Sequence, residues 1–180
     1  MEETNQGMDP SFSNQTAWVE SLAIEEINME ESGVVHFDDH LNPLAYLEEA
    51  SIDFMEEIKN QMESHVSRFN EFRNSHGSGA FIKMFKISNT INDFMLYRNS
   101  LRLVFSRKAN DLINIGFLNN SGSLFSPRTT KGLPSQGSAH EIKAHIGPFN
   151  SITWKFSGEE VNIDALIKHY LTEFVRQSAR

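Results

Sequence analysis

Leu101-Arg102-Leu103-Val104-Phe105-Ser106-Arg107 is the stretch on which the fold turns. Leu101, Leu103 and Phe105 occupy alternate positions, so an extended chain places them on one face and Arg102 on the other. Downstream, Lys108-Ala109-Asn110-Asp111 reads as a turn, after which Ile113, Ile115 and Phe117 form the inner face of a returning strand and complete a hairpin. Upstream, Phe81 to Ile87 predicts one strand and Phe94 to Arg98 a second, entering the central stretch through a bend at Asn99-Ser100.

Further along, residues 119–139 are rich in Ser and Gly and contain Pro127 and Pro134, which predicts a long loop, either disordered or functional. Ile142, Ala144 and Ile146 then alternate against Lys143 and His145. Gly147-Pro148-Phe149-Asn150 makes a turn, and Ile152, Trp154 and Phe156 line the next inner face, so a second hairpin is expected.

Helices flank these strands. Asn42 reads as an N-cap and Pro43 as the first residue of a long helix, with Leu44, Leu47, Met55, Ile58, Met62, Val66 and Phe69 recurring at helical spacing as far as about Asn74. His76-Gly77-Ser78-Gly79 ends it. A last amphipathic helix runs from about Asn162 to Gln177, capped by Asn162 or Ser157, with Ile163, Leu166, Ile167, Tyr170, Leu171 and Phe174 on one stripe. The fold class is therefore α+β: an antiparallel sheet of five to six strands, built as a meander of hairpins, with the long helix and the C-terminal helix packed on one face.

The chain of 180 residues suits one full-sized core, which we place in residues 41–180. Residues 1–40 read as an acidic, largely disordered arm, because so polar a segment buries too little apolar surface to offset its ordering entropy. Within it Trp18, Leu22 and Ile24 interleave with Glu20, Glu25 and Glu26, which predicts a short docking helix at about 17–30 whose apolar residues bind a partner. The net charge of −8 hides an asymmetry: residues 1–60 hold fifteen Asp and Glu against one Lys, whereas residues 61–180 hold fifteen Lys and Arg against nine acids. Such a split fits either an arm that screens a basic surface or two ends with different partners.

These residues contain no cysteine, which removes disulfides, zinc–thiolate and iron–sulfur centres and thiol nucleophiles from consideration. No secretory signal, presequence or apolar run of membrane-spanning length is legible, so the expected location is cytoplasmic and no membrane partner is expected. His140 and His145 mimic the zinc-protease motif, but they are five residues apart rather than four, and a strand sends them to opposite faces. His36-Phe37-Asp38-Asp39-His40 offers metal-type ligands in one segment without a complete set. Gly77 and Gly79 follow a helix and precede a strand, the reverse of a phosphate-binding turn. Neither a metal nor another cofactor is expected.

One further feature points to a ligand: Tyr97, Arg98, Arg102, Arg107 and Lys108 cluster in the first hairpin, followed by Arg128 and Lys131 in the loop and by Lys143 and Lys155. A positive sheet face with an aromatic on it could hold the phosphates of a nucleic acid or nucleotide. The reading preferred on these grounds is a noncatalytic protein-interaction module, an adaptor or regulatory subunit, whose body also serves partner docking or homo-oligomerisation as a homodimer. The alternatives are a nucleic-acid or nucleotide binder and a small enzyme, its cleft between sheet and long loop, using His140, His145 and Asp111.

Overall fold

Strands β2 (Phe94–Arg98) and β3 (Leu101–Ala109) pair antiparallel, with Arg98 opposite Leu101, so only Asn99 and Ser100 connect them. Both connecting residues have positive φ, 47° and 70°, as a turn matched to the right-handed twist of its strands demands. The computed structural model describes residues 10–35, 42–77, 79–118, 124–125 and 139–179. Of the predicted loop 119–139, only the two-residue strand β5 (Leu124–Phe125) and Ala139 lie within the described residues.

The sheet is larger than predicted. Besides β1 (Lys83–Lys86), β4 (Leu112–Leu118), β6 (His140–Ile146) and β7 (Ile152–Phe156), it contains β5 and β8 (Glu159–Glu160), in the order β1-β2-β3-β4-β6-β7-β8 with β5 paired to β4. All the pairings are antiparallel. β8 exists because Ser157 and Gly158, both at positive φ, form another two-residue turn that sets Phe156 opposite Glu159. The main path ends at β1, with a lysine at each end, and at β8, which is two glutamates, while β5 pairs with β4 off that path.

Register assigns the faces. One cross-strand row joins Met84, Leu96, Leu103 and Phe117, and the next joins Phe94, Phe105, Ile115 and His140; apart from Met84 at the edge and His140, these side chains are fully buried. On that face lie α2 (Pro43–His76) and α3 (Ile163–Ser178). α2 contributes Phe54, Met55, Ile58, Met62 and Val66 at helical spacing, and α3 contributes Ile167, Tyr170 and Phe174. Asn162 caps α3, its side chain accepting from the Ala165 N–H at 2.9 Å, which settles the choice between Asn162 and Ser157. Leu44, expected on the buried stripe of α2, is instead exposed in the first turn. Near the other end of α2, the Asn70 side chain donates to and accepts from the Ile82 backbone at 2.8 and 3.0 Å and pins the connection into β1.

The chain divides into two compact units, residues 1–42 and 43–180. In the first, α1 (Pro10–Ser32) extends over more than the helix expected at about 17–30 within a largely disordered arm. Ala17, Leu22, Ala23, Met29 and the glutamates are good helix formers, and no Gly or Pro interrupts them after Pro10. Gly33, at φ 67°, closes the helix with its N–H donating to the Met29 carbonyl at 2.9 Å.

Ser100 holds a left-handed conformation that disfavours a residue with a Cβ. Ser100→Gly is expected to raise stability by about 1 kcal/mol, read as a higher urea midpoint at unchanged slope.

Candidate functional site

The five residues expected to form an anion-binding face are not brought together. Alternation puts Arg98 on the side of Phe94 and Leu96, and Arg107 on the side of Leu103 and Phe105, so both guanidinium groups turn inward. Arg98 is buried, donates from Nε to the Ala80 carbonyl at 2.9 Å and from Nη1 to Ser178 Oγ at 3.4 Å, and lies over the Phe69 ring. Desolvation, and then the like charge of Arg73, lower its pKa from the ordinary arginine value. Arg107 Nη1 donates to Ser51 Oγ at 2.9 Å and to Asn110 Oδ1 at 3.3 Å, tying β3 to α2. These arginines hold elements together.

The outer face keeps the rest. Lys83, Tyr97 and Arg102 form one cross-strand row with both cations exposed, and Lys108 is exposed near a register shift between Arg107 and Ala109. Lys143 and Lys155 are opposite one another on β6 and β7, but Lys143 pairs with Glu141 at 3.3 Å and Lys155 faces Glu160. Positive charge is thus interleaved with acids on that side of the sheet. Arg128, Lys131 and the His36–His40 segment lie outside the described residues.

In α1, Trp18 is 67% exposed, Leu22 48% and Ile24 60%. Trp18 and Leu22 are four residues apart and share a face, whereas Ile24 lies roughly 120° around the helix from Trp18, at ~100° per residue.

The titrating residues separate in the same way. His145 points to the outer face and Asp111 sits exposed in the turn between β3 and β4, but His140, in register with Ile115, faces inward at a cleft of about 340 Å³. β6, β7, β8 and the first half of α3 supply its walls: the apolar lining includes Ile142, Phe156, Val161 and Leu166, and the polar lining includes His140, Glu159, His169 and Tyr170. His140 Nδ1 and the Tyr170 hydroxyl are 2.6 Å apart. Burial pushes the Tyr170 phenol well above its ordinary range, so the hydroxyl keeps its proton in this hydrogen bond. Desolvation, and then the neighbouring His169, lower the His140 pKa from its ordinary value. His169 Nε2 is buried with no hydrogen-bond partner among the described residues.

This arrangement can accept or donate a hydrogen bond to something held against an aromatic wall. No Ser, Thr or Lys is among the lining residues, and no group of three or more metal-type ligands occurs among the described residues. No family model, curated protein or solved structure matches the chain.

Removing Arg107 breaks the bond that ties β3 to Ser51 of α2 and leaves that hydroxyl only its donation to the Glu48 carbonyl at 2.7 Å, so Arg107→Ala is expected to cost about 1–3 kcal/mol in chemical denaturation, and Arg102→Ala less than about 0.5 kcal/mol. For His140, the folded state binds its proton less readily than the unfolded chain. Its contribution is therefore intact above the ordinary imidazole pKa of about 6.5 and lost as pH falls through and below that value. His140→Gln is expected to flatten the acid-side decline of the urea midpoint.

Proposed function

We propose that the protein is a noncatalytic interaction module, an adaptor or regulatory subunit, whose acidic helical arm docks on a second protein. The observation that carries this reading is the exposure of Trp18 and Leu22 on one face of a helix flanked by Glu20, Glu25 and Glu26. Large apolar side chains in contact with water favour burial, by on the order of 1.5–3 kcal/mol for a side chain such as Leu. A helix laid into a groove supplies that burial. Residues 1–42 contain ten Asp and Glu and no Lys or Arg, so the matching surface is an apolar groove bordered by basic residues.

The body has its own buried core and acts as the platform, with Leu44 and Phe72 exposed on α2 as its contacts to a partner or a second copy. A cytoplasmic setting belongs to the same proposal. Among the described residues no helix is long and apolar enough to cross a membrane.

A second reading, binding of a nucleotide or nucleic acid, is supported by the row of Lys83, Tyr97 and Arg102, a smaller patch than five basic and aromatic residues would have made. Binding of single-stranded oligonucleotides that weakens steeply with salt and is lost in Arg102→Ala would favour it over the first.

The docking reading is tested with the full chain as bait and with Trp18→Ala, Leu22→Ala and Ile24→Ala variants. The expected outcome is one basic protein captured by the wild type and by Ile24→Ala, at least about fivefold less by each of the other two, as loss of ~1 kcal/mol or more requires. Equal capture by all four chains rules the reading out.

A further inference from the structure

Where the end of α2 meets the end of β2, two guanidinium groups converge on one short stretch of backbone. Arg73, in the last turn of α2, lies over Gly79, whose missing Cβ leaves the space that its guanidinium fills. Arg98, the last residue of β2, donates from Nε to the carbonyl of the next residue, Ala80, at 2.9 Å. The final turn of α3 closes a third side: Ser178 Oγ accepts from Arg98 Nη1 at 3.4 Å, and Asn99 Nδ2 donates to the Ser178 carbonyl at 2.8 Å. One cation in the last turn of a helix is explained by the helix dipole. A second cation beside it is not.

Like charges brought together away from full solvation are unfavourable, and the ordinary remedy is a carboxylate. Neither Arg73 nor Arg98 has one within ion-pair distance among the described residues. Desolvation acts most on Arg98, and the neighbouring charge that adds to it is another cation, Arg73. Donors are also left over. Arg73 Nε is buried without a hydrogen-bond partner, and Arg98, with Nε and Nη1 engaged, keeps Nη2 without one among the described residues. The Phe69 ring, its centroid 5.7 Å from the Arg98 guanidinium carbon, restricts the plane in which that group lies. Two forks of N–H groups from different elements offer more donors than a planar carboxylate accepts, and they suit the several oxygens of a tetrahedral dianion.

We propose that Arg73 and Arg98 form a binding site for a phosphate group, inorganic or carried by a small monoester, with Ser178 orienting Arg98 toward it. The site lies in the body and stands whether or not α1 docks on a protein. Phosphate bound there neutralises the arginine pair where α2, β2 and α3 meet, so it stabilises the fold by linkage.

Inorganic phosphate titrated into the full chain at constant ionic strength, and followed through amide and arginine side-chain NMR signals, tests this. Saturable shifts at Arg73, Gly79, Ala80 and Arg98 are expected at millimolar phosphate, together with a higher urea midpoint. Acetate is expected to bind at least about tenfold more weakly. Methyl phosphate separates the two sources: affinity equal to that of phosphate assigns the site to an ester, and a large loss assigns it to the free anion. Arg73→Gln is expected to weaken phosphate at least about tenfold, yet to leave the midpoint in phosphate-free buffer no lower than that of the wild type, because a like charge has gone. Gly79→Ala keeps both charges but displaces the Arg73 guanidinium, and is expected to weaken phosphate roughly three- to tenfold. Absence of saturable shifts at these residues, acetate binding as tightly as phosphate, or an Arg73→Gln chain that binds phosphate like the wild type would each overturn the proposal.

Discussion

A column of rings joins the two layers of the body. Phe94 and Phe105, opposite one another on β2 and β3, stack with centroids 4.6 Å apart, and Tyr170 of α3 meets Phe105 edge-on at 5.9 Å. Phe117 on β4 continues the column toward Tyr170 and Phe174. Such rings bury large areas in fixed orientations, so α3 has little freedom to rotate over the sheet without losing them. That restraint also fixes the chemistry at the margin. The Tyr170 ring belongs to the core, which leaves its hydroxyl at the edge against His140, and the polar corner exists because the apolar one is tight.

Electrostatics follow from the same packing. Burying a guanidinium is unfavourable unless its hydrogen bonds are replaced, and Arg98 and Arg107 each receive oxygen partners from elements distant in the chain. Arg98 links β2 to Ala80 and to the end of α3, and Arg107 links β3 to α2. Basic residues abundant in the sequence after position 60 are thus drawn partly into the framework, so charge sorted along the chain does not become charge sorted over a surface.

Much of the architecture was legible because a period of two or of 3.6 repeats often enough to be seen. β2, β3, β4, β6 and β7, the long α2 and the capped α3 all carry that signal within a residue or two of their ends. β5 and β8 do not, since two residues have no period; only the Ser157-Gly158 pair hinted at β8. The inward turn of Arg98 and Arg107 was available from the parity that buried Leu96 and Phe105, but grouping residues by charge overrode grouping them by position. His140 likewise shares parity with Ile142. Its pairing with Tyr170, thirty positions later, depends on how α3 crosses the sheet, and no local pattern carries that. Ile24 failed to join Trp18 and Leu22 for a simpler reason, the angular step of a helix.

The two ends of the main strand path carry opposite charge: Lys83 and Lys86 on β1, Glu159 and Glu160 on β8. A border of unpaired amides and carbonyls invites another chain to add a strand. Here like borders of two copies repel one another, while the acidic border, two residues long, gives a neighbour's lysine-tipped strand too few hydrogen-bonding positions to hold. At these two ends of the strand path, addition of a further strand is disfavoured by brevity on one side and by ammonium groups on the other.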